Sequence, residues 1–257
     1  MNAQPSESEN VVELKDVRKT FGDKVIYQSL SLSVQKGETF TVLGPSGVGK
    51  SVMLKLLIGL HRPDGGHVIV AGEEVNDYEE EQWRDVRRKV GMLFQGAALF
   101  DSLDVGDNVA YGLREHYKWP EEKVRARVAE CLKSVGLPDV ERMRPSDLSG
   151  GMRKRVGLAR ALAPGPEIIL YDEPTTGLDP TNTRRINELI VSLQEKLGVT
   201  SIVITHDMAS ALAVSDRIAL LEGGKITLTV DAQEAERDPP ERLSQFMHGE
   251  GEDEQRP

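Results

Sequence analysis

The chain has a single cysteine in 257 residues, Cys131. That excludes an internal disulfide and suits a reducing compartment. Cys131 lies in an apolar stretch of helical spacing, so a buried thiol packed as a small hydrophobe is expected. One cysteine cannot complete a zinc site either, and His61, His67, His116 and His248 show no metal-ligand spacing. No apolar run approaches the roughly 18 residues that span a bilayer. Met1–Asn10 is polar and lacks the apolar core of a signal segment. The expectation is a chain that stays where it is made and reaches a membrane only through a partner. Basic residues are the minority, 32 against 42 acidic, for a net charge of -10. Such a balance repels phosphate backbones, so no nucleic-acid partner is expected. With 39% hydrophobic and 29% charged residues, the composition is that of an ordinary globular protein with a real core.

Residues 1–10 read as a disordered tail, and Gly249–Pro257 is acidic and apolar-poor in the same way. Between them there is no low-complexity segment and no fixed-period repeat. Val11–Val17 and Ile26–Val34 alternate as half-buried strands. Thr39–Leu43 is a β-rich run entering a glycine-rich loop, and Ser51–Leu60 is helical in character. Ala71-Gly72 suggests a hairpin, and Val90–Phe94 another strand. From 96 to 148 the apolar spacing turns helical, as in Val124, Val128, Leu132 and Val135. Helix 150–163, strand Ile168–Tyr171, helix 182–197, strand Thr200–Thr205, helix 207–214 and strand Arg217–Leu221 follow. Pro239–Met247 reads as a short terminal helix. This alternation predicts an α/β fold with a mostly parallel sheet and helices on both faces. The expected division is a core of 11–95 and 149–230, a helical insertion at 96–148, and a terminal 231–257 with a short helix and acidic tail.

Gly44-Pro45-Ser46-Gly47-Val48-Gly49-Lys50-Ser51 fits G-x-x-x-x-G-K-[ST]. Glycines let the backbone curl so that successive N–H groups form an anion nest, and the following helix adds its positive end. Lys50 would reach the β- and γ-phosphates and the Ser51 hydroxyl would ligate Mg²⁺. This predicts a P-loop NTPase with ATP and Mg²⁺.

Ile168-Ile169-Leu170-Tyr171-Asp172-Glu173 is an apolar strand ending in two acids. On its own this is equally a solvated acidic turn before Pro174. Beside a phosphate loop, Asp172 is the expected magnesium ligand and Glu173 the general base that polarises water. His206 ends the apolar run Ser201–Thr205, where a γ-phosphate is within reach in an open sheet. A lone histidine there is also a common structural residue.

Leu148-Ser149-Gly150-Gly151-Met152 resembles the signature of ABC ATPases, with Met152 where Gln is usual. The resemblance covers residues 11–230: Phe21, the phosphate loop, Gln95, the signature, Asp172-Glu173, Gly177-Leu178-Asp179 and His206 stand in family order. It implies a P-loop NTPase core with an N-terminal antiparallel β subdomain and an inserted helical subdomain. It also implies that Phe21 stacks on adenine and that Gln95 touches Mg²⁺ and the lytic water. In the same way Asp179 communicates across a homodimer, and Ser149, Gly150 and Gly151 bind ATP held by the other subunit. Ser149 precedes a predicted helix, so a second anion site at a helix N-terminus has a physical basis; simple capping by Ser149 is the plainer alternative. A thioether at Met152 cannot replace an amide's hydrogen bonds.

Leu93-Phe94-Gln95-Gly96-Ala97-Ala98-Leu99-Phe100 and Asn108-Val109-Ala110-Tyr111-Gly112-Leu113-Arg114-Glu115-His116 narrow the resemblance to the ATPases of Mla/Mce-type phospholipid transporters. That implies a place on the cytoplasmic face of the bacterial inner membrane beneath permease subunits, an Mce-type substrate-binding protein and a STAS-domain partner. The segment Gln95–Phe100 is then a docking groove for the permease, with ordinary core packing as the alternative. Rivals are an importer of another solute such as an amino acid or metal complex, a soluble non-transport ABC ATPase, and a P-loop kinase.

Overall fold

The computed structural model describes residues 9–248, and the expected tails at 1–8 and 249–257 lie outside them. Two sheets and a helical block carry the architecture. The first sheet is antiparallel, in the order β2-β1-β4-β5, from β1 (Asn10–Phe21), β2 (Lys24–Gln35), β4 (Gly65–Val70) and β5 (Glu73–Glu74). The second has the order β10-β9-β3-β8-β7-β6. It is built from β3 (Thr39–Leu43), β6 (Val90–Leu93), β7 (Ile168–Asp172), β8 (Thr200–Thr205), β9 (Arg217–Glu222) and β10 (Lys225–Asp231). Its strands pair in parallel except β10 on β9. Continuous apolar runs such as Thr39–Leu43 and Ile168–Asp172 are buried throughout, as strands covered on both faces must be.

Helix α1 (Lys50–Leu57) packs on β4 of the first sheet and on β7 and β8 of the second, and α2 (Glu80–Lys89) packs on β6. Between β6 and β7 the chain forms α3 (Val105–His116), α4 (Glu121–Ser134) and α5 (Gly150–Leu162). Then come α6 (Pro180–Leu197), α7 (Met208–Val214), α8 (Ala232–Arg237) and α9 (Glu241–His248). One hydrophobic cluster joins the antiparallel sheet to α1 and one face of the parallel sheet, through Tyr27, Phe40, Met53, Leu170 and Ile204. A second joins the opposite face to α3, α4, α5 and α6, through Leu93, Val109, Leu132, Val156, Tyr171 and Ile190. A third seats α7, α8 and α9 on β9 and β10. Cys131 is buried in the second cluster, and burial pushes its thiol up to about 11.

Several expectations needed correction. Asn10 already pairs with Gln35 in β1, because the ladder satisfies its backbone groups. The helix after the phosphate loop stops at Leu57, where Ile58 leaves the helical region and Gly59 turns at φ +70°. Helix α2 had no place in the sequence reading: only Gln82, Trp83 and Val86 are uncharged, and two of these bury it. β10 was also missed, and the segment after it forms two helices, with Asp231 capping α8.

Asp64 pins the tip of β1 to the chain entering β4. It accepts from Lys19 Nζ at 2.8 Å, Thr20 N at 2.6 Å and Thr20 Oγ1 at 2.7 Å. The Lys19 and Thr20 hydrogen bonds pull its carboxyl down to about 2. A carboxyl depressed in the folded state stabilises above its unfolded value of about 3.9 and loses that contribution as pH falls toward about 2. Asp64→Asn should therefore lower the thermal midpoint at neutral pH, with the deficit vanishing between about pH 4 and pH 2. A deficit independent of pH would contradict this account.

Candidate functional site

The C-terminal ends of β3, β7, β8 and β6 lie side by side, with Leu43 beside Thr205, Ile204 beside Asp172 and Tyr171 beside Leu93. The turns after these strands carry Gly44–Lys50, Asp172-Glu173, His206 and Gln95, the edge where ligands gather in open α/β sheets. A cleft of about 550 Å³ opens there, lined among others by Ser46, Gly47, Gly49, Lys50, Ser51, Gln95, Glu173 and His206.

The loop is held from behind. Tyr27 OH donates to the Gly49 carbonyl at 2.5 Å, and Gly49 sits at φ +114°. A Cβ there would come within 3.0 Å of the Tyr27 ring and 2.8 Å of Ile26, so only glycine fits. Gly49 then caps α1, whose first N–H groups face the cleft with the positive end of the helix. Lys50 is only 6% exposed and folds back on the loop, donating to the carbonyls of Gly44 at 2.6 Å and Pro45 at 3.0 Å. Its Nζ is 3.5 Å from Glu173 Oε1. Burial lowers its ammonium pKa, with the Glu173 charge opposing that shift. Val48 packs on the first core cluster behind the loop.

Ser51 Oγ donates to Asp172 Oδ1 at 3.1 Å, and burial holds the Asp172 carboxyl above its ordinary value. A hydroxyl and a carboxylate side by side form an oxygen donor set that suits a hard divalent cation. Among the described residues no group of three or more His, Cys, Asp or Glu is placed to hold a metal ion. These oxygen donors fit Mg²⁺, which keeps waters and phosphate oxygens rather than an all-protein cage.

Glu173 is buried, with its backbone in the left-handed region at φ +48°. Such a conformation stores about 1–3 kcal/mol of strain in a residue with a side chain. Its Oε2 accepts from Thr176 Oγ1 at 3.0 Å and lies 2.9 Å from His206 Nδ1. That contact engages Nδ1 of His206, a residue that also lines the cleft.

Not every expected residue is in this cleft. Phe21 sits at the tip of the β1–β2 hairpin, 41% exposed and edge-on to His61 at 5.0 Å, apart from the lining residues. Ser149 and Gly150 are exposed at the start of α5 and are not among the residues that line the cleft. Ser149 Oγ accepts from Met152 N at 3.3 Å and caps that helix. Gly151 is buried against Asn182, where a Cβ would come within 2.7 Å of Oδ1. Asn182 donates to Asp179 Oδ2 at 2.5 Å, and Asp179 caps α6. The N-terminus of α1 lines the cleft, and that of α5, capped by Ser149, is outside the residues that line it. Sequence reasoning missed Lys24 and Thr176, which line the cleft, and Tyr27, which braces it. Lys24, at the hairpin turn, had no motif to mark it.

The profile of the ABC transporter family matches residues 27–176. This chain belongs to the ABC transporter family. The cassette is 39% identical over 240 residues to the intermembrane phospholipid transport system ATP-binding protein MlaF of Escherichia coli, covering 93% of this chain and 89% of that one. It is 38% identical over 248 residues to the methionine import ATP-binding protein MetN of Mesorhizobium japonicum, covering 96% of this chain and 68% of that one. In fold it matches a dimeric post-hydrolysis state of an ATP-binding cassette bound to ADP and Pi, with TM-score 0.79 and 35% identity over 86% of this chain and 98% of that one. The cassette is an ABC transporter ATPase with the P-loop NTPase fold, an antiparallel β sheet and helices inserted between β6 and β7. Among the described residues no helix is long and apolar enough to cross a membrane.

Proposed function

We propose that the cassette works as a homodimer that hydrolyses ATP to drive phospholipid movement between bacterial membranes, from the cytoplasmic face of the inner membrane. The observation that carries the dimer is the separation of the two anion sites. Lys50 and the first residues of α1 line the cleft, while Ser149 and Gly150 lie exposed at the start of α5, outside that lining. Two copies placed head to tail about a two-fold axis complete both sites. The likeness to a dimeric cassette supports this. The likeness to the phospholipid ATPase along 93% of the chain supports the lipid. An importer of another solute is the alternative that the methionine-type relative favours.

In this reading the loop N–H groups of Gly44–Gly49 and Lys50 hold the phosphates of ATP, with Phe21 available for the adenine face. Ser51, Asp172 and Gln95 would hold Mg²⁺, which would supply charge neutralisation for the phosphates. Glu173 takes the proton of the attacking water, and His206, held by Glu173 through Nδ1, lies within reach of the γ-phosphate. Ser149, Gly150 and Gly151 meet the nucleotide of the opposite subunit, and Asp179, through Asn182, links that contact to α6. ATP favours the closed pair because only that state grips the γ-phosphate from both sides. Hydrolysis removes the bridge.

The permease surface follows from exposure beside Gln95. Ala97 is buried and Leu99 packs on the second core cluster, so these two hold the segment in place. Phe100 and Tyr111 are 42% and 44% exposed, with ring centroids 4.7 Å apart. This exposed aromatic pair suits a permease's coupling helix. An Mce-type substrate-binding protein and a STAS-domain protein complete the expected assembly. Purification from membranes, with mass spectrometry of the attached proteins and lipids, should return integral-membrane subunits and phospholipid. Phe100→Asp should release those subunits while the ATPase rate of the isolated chain stays within about twofold of native. Recovery of a permease carrying an amino acid, and no phospholipid, would sink the lipid reading and leave the ATPase intact.

A further inference from the structure

Lys154 is a cation buried to 5% exposure on α5, two residues beyond the signature. Its Nζ donates to a main-chain carbonyl, that of Glu173, at 2.9 Å. Burying an ammonium is costly unless a specific partner repays it. Here the partner is the backbone of the general base, in its left-handed conformation at φ +48°. Both ends of that residue are tied to different elements. Its N–H donates to the Ile204 carbonyl on β8 at 3.0 Å, and its carbonyl receives Lys154 from α5. Thr176 N donates to the same carbonyl at 3.3 Å.

The other end of the same helical turn is the exposed signature. Ser149 caps it, and Gly151 packs on Asn182, the residue bound to Asp179. Gly151 and Lys154 are three residues apart, hence neighbours on one face of one turn. The signature and the Lys154 bond therefore lie on one helical turn. A charge-assisted bond is about twice as strong as a neutral one, and it acts here on a backbone that is already strained.

We propose that Lys154 is a positioning residue, coupling the seating of the signature against one nucleotide to the alignment of Glu173 over the other. The proposal rests on the two-copy reading above. Asp172 and Glu173 supply countercharge, while burial lowers the Lys154 ammonium below its ordinary value.

The test is steady-state ATP hydrolysis by the full chain, with binding of a non-hydrolysable ATP analogue and thermal unfolding measured alongside. Lys154→Met should lower kcat by about tenfold or more with KM for ATP within about twofold. The melting midpoint should stay level or rise, because Met fills similar volume without a buried charge. Lys154→Gln, which keeps an N–H donor, should retain more of the rate. In a Glu173→Gln background, Lys154→Met should cost nothing further, since it acts through that residue. A native kcat overturns the proposal. So does a loss accompanied by weak analogue binding or a lowered melting midpoint, or one that persists in the Glu173→Gln background. Failure of the underlying reading looks different: the Glu173→Gln chain would then keep the mass of one copy in the presence of ATP and Mg²⁺.

Discussion

Glu173→Gln is expected to bind ATP as the native chain does and to turn over about 10²–10⁴-fold more slowly, the usual contribution of a positioned base. The substitution is nearly isosteric, so the left-handed backbone and the bonds to β8 and α5 are kept. What changes is the carboxylate. Its two oxygens now face Lys50 at 3.5 Å and His206 at 2.9 Å, a setting of positive and donor groups around an acceptor. An amide in that place accepts hydrogen bonds and takes up no proton. The ATP-loaded chain should therefore accumulate as a closed dimer, visible as a doubling of mass in the presence of ATP and Mg²⁺. Phosphate release at the native rate would remove Glu173 from the role of base.

Lys50→Ala is the second large effect. The ammonium is the buried cation of the cleft, and it waits on loop carbonyls that a triphosphate would replace as partners. Deleting it should lower kcat/KM for ATP by about 10²–10³-fold, as loss of one preorganised donor to a developing oxyanion does. It should also weaken nucleotide affinity itself, which sets it apart from Glu173→Gln. Lys50→Arg should fail to rescue, because a planar fork does not fit a site shaped for a compact point charge. Fluorescent-nucleotide titration with turnover assays reads both quantities. Unchanged affinity and rate in the alanine variant would contradict the phosphate reading of the loop.

How much was legible depended on range. Residues whose chemistry is local to a turn were readable: Gly49, Lys50 and Ser51 follow β3, and Asp172-Glu173 end β7. Each pattern needs only its own strand and helix to acquire meaning. The helix at Glu80–Lys89 was hidden because two apolar side chains, Trp83 and Val86, suffice to bury it. β10 offered a signal that went unread, alternation at Ile226, Leu228 and Val230 after Gly223-Gly224. Phe21 was placed by family order, and its packing on His61 comes from the Asp64 anchor, 43 positions away in sequence from the ring it steadies.

By itself the sequence determined the family, the order of the motifs and the turn chemistry that makes a phosphate nest, because those depend on backbone freedom and residues adjacent along the chain. Only the tertiary structure decided which motifs share a cleft. Parallel pairing of β3, β8, β7 and β6 puts four distant turns on one edge and leaves the start of α5 outside the cleft lining. The register of that sheet and the burial of α5 against it also set Lys154 on the carbonyl of Glu173. Contacts of this kind arise from packing across long sequence separations, and no spacing within a motif encodes them.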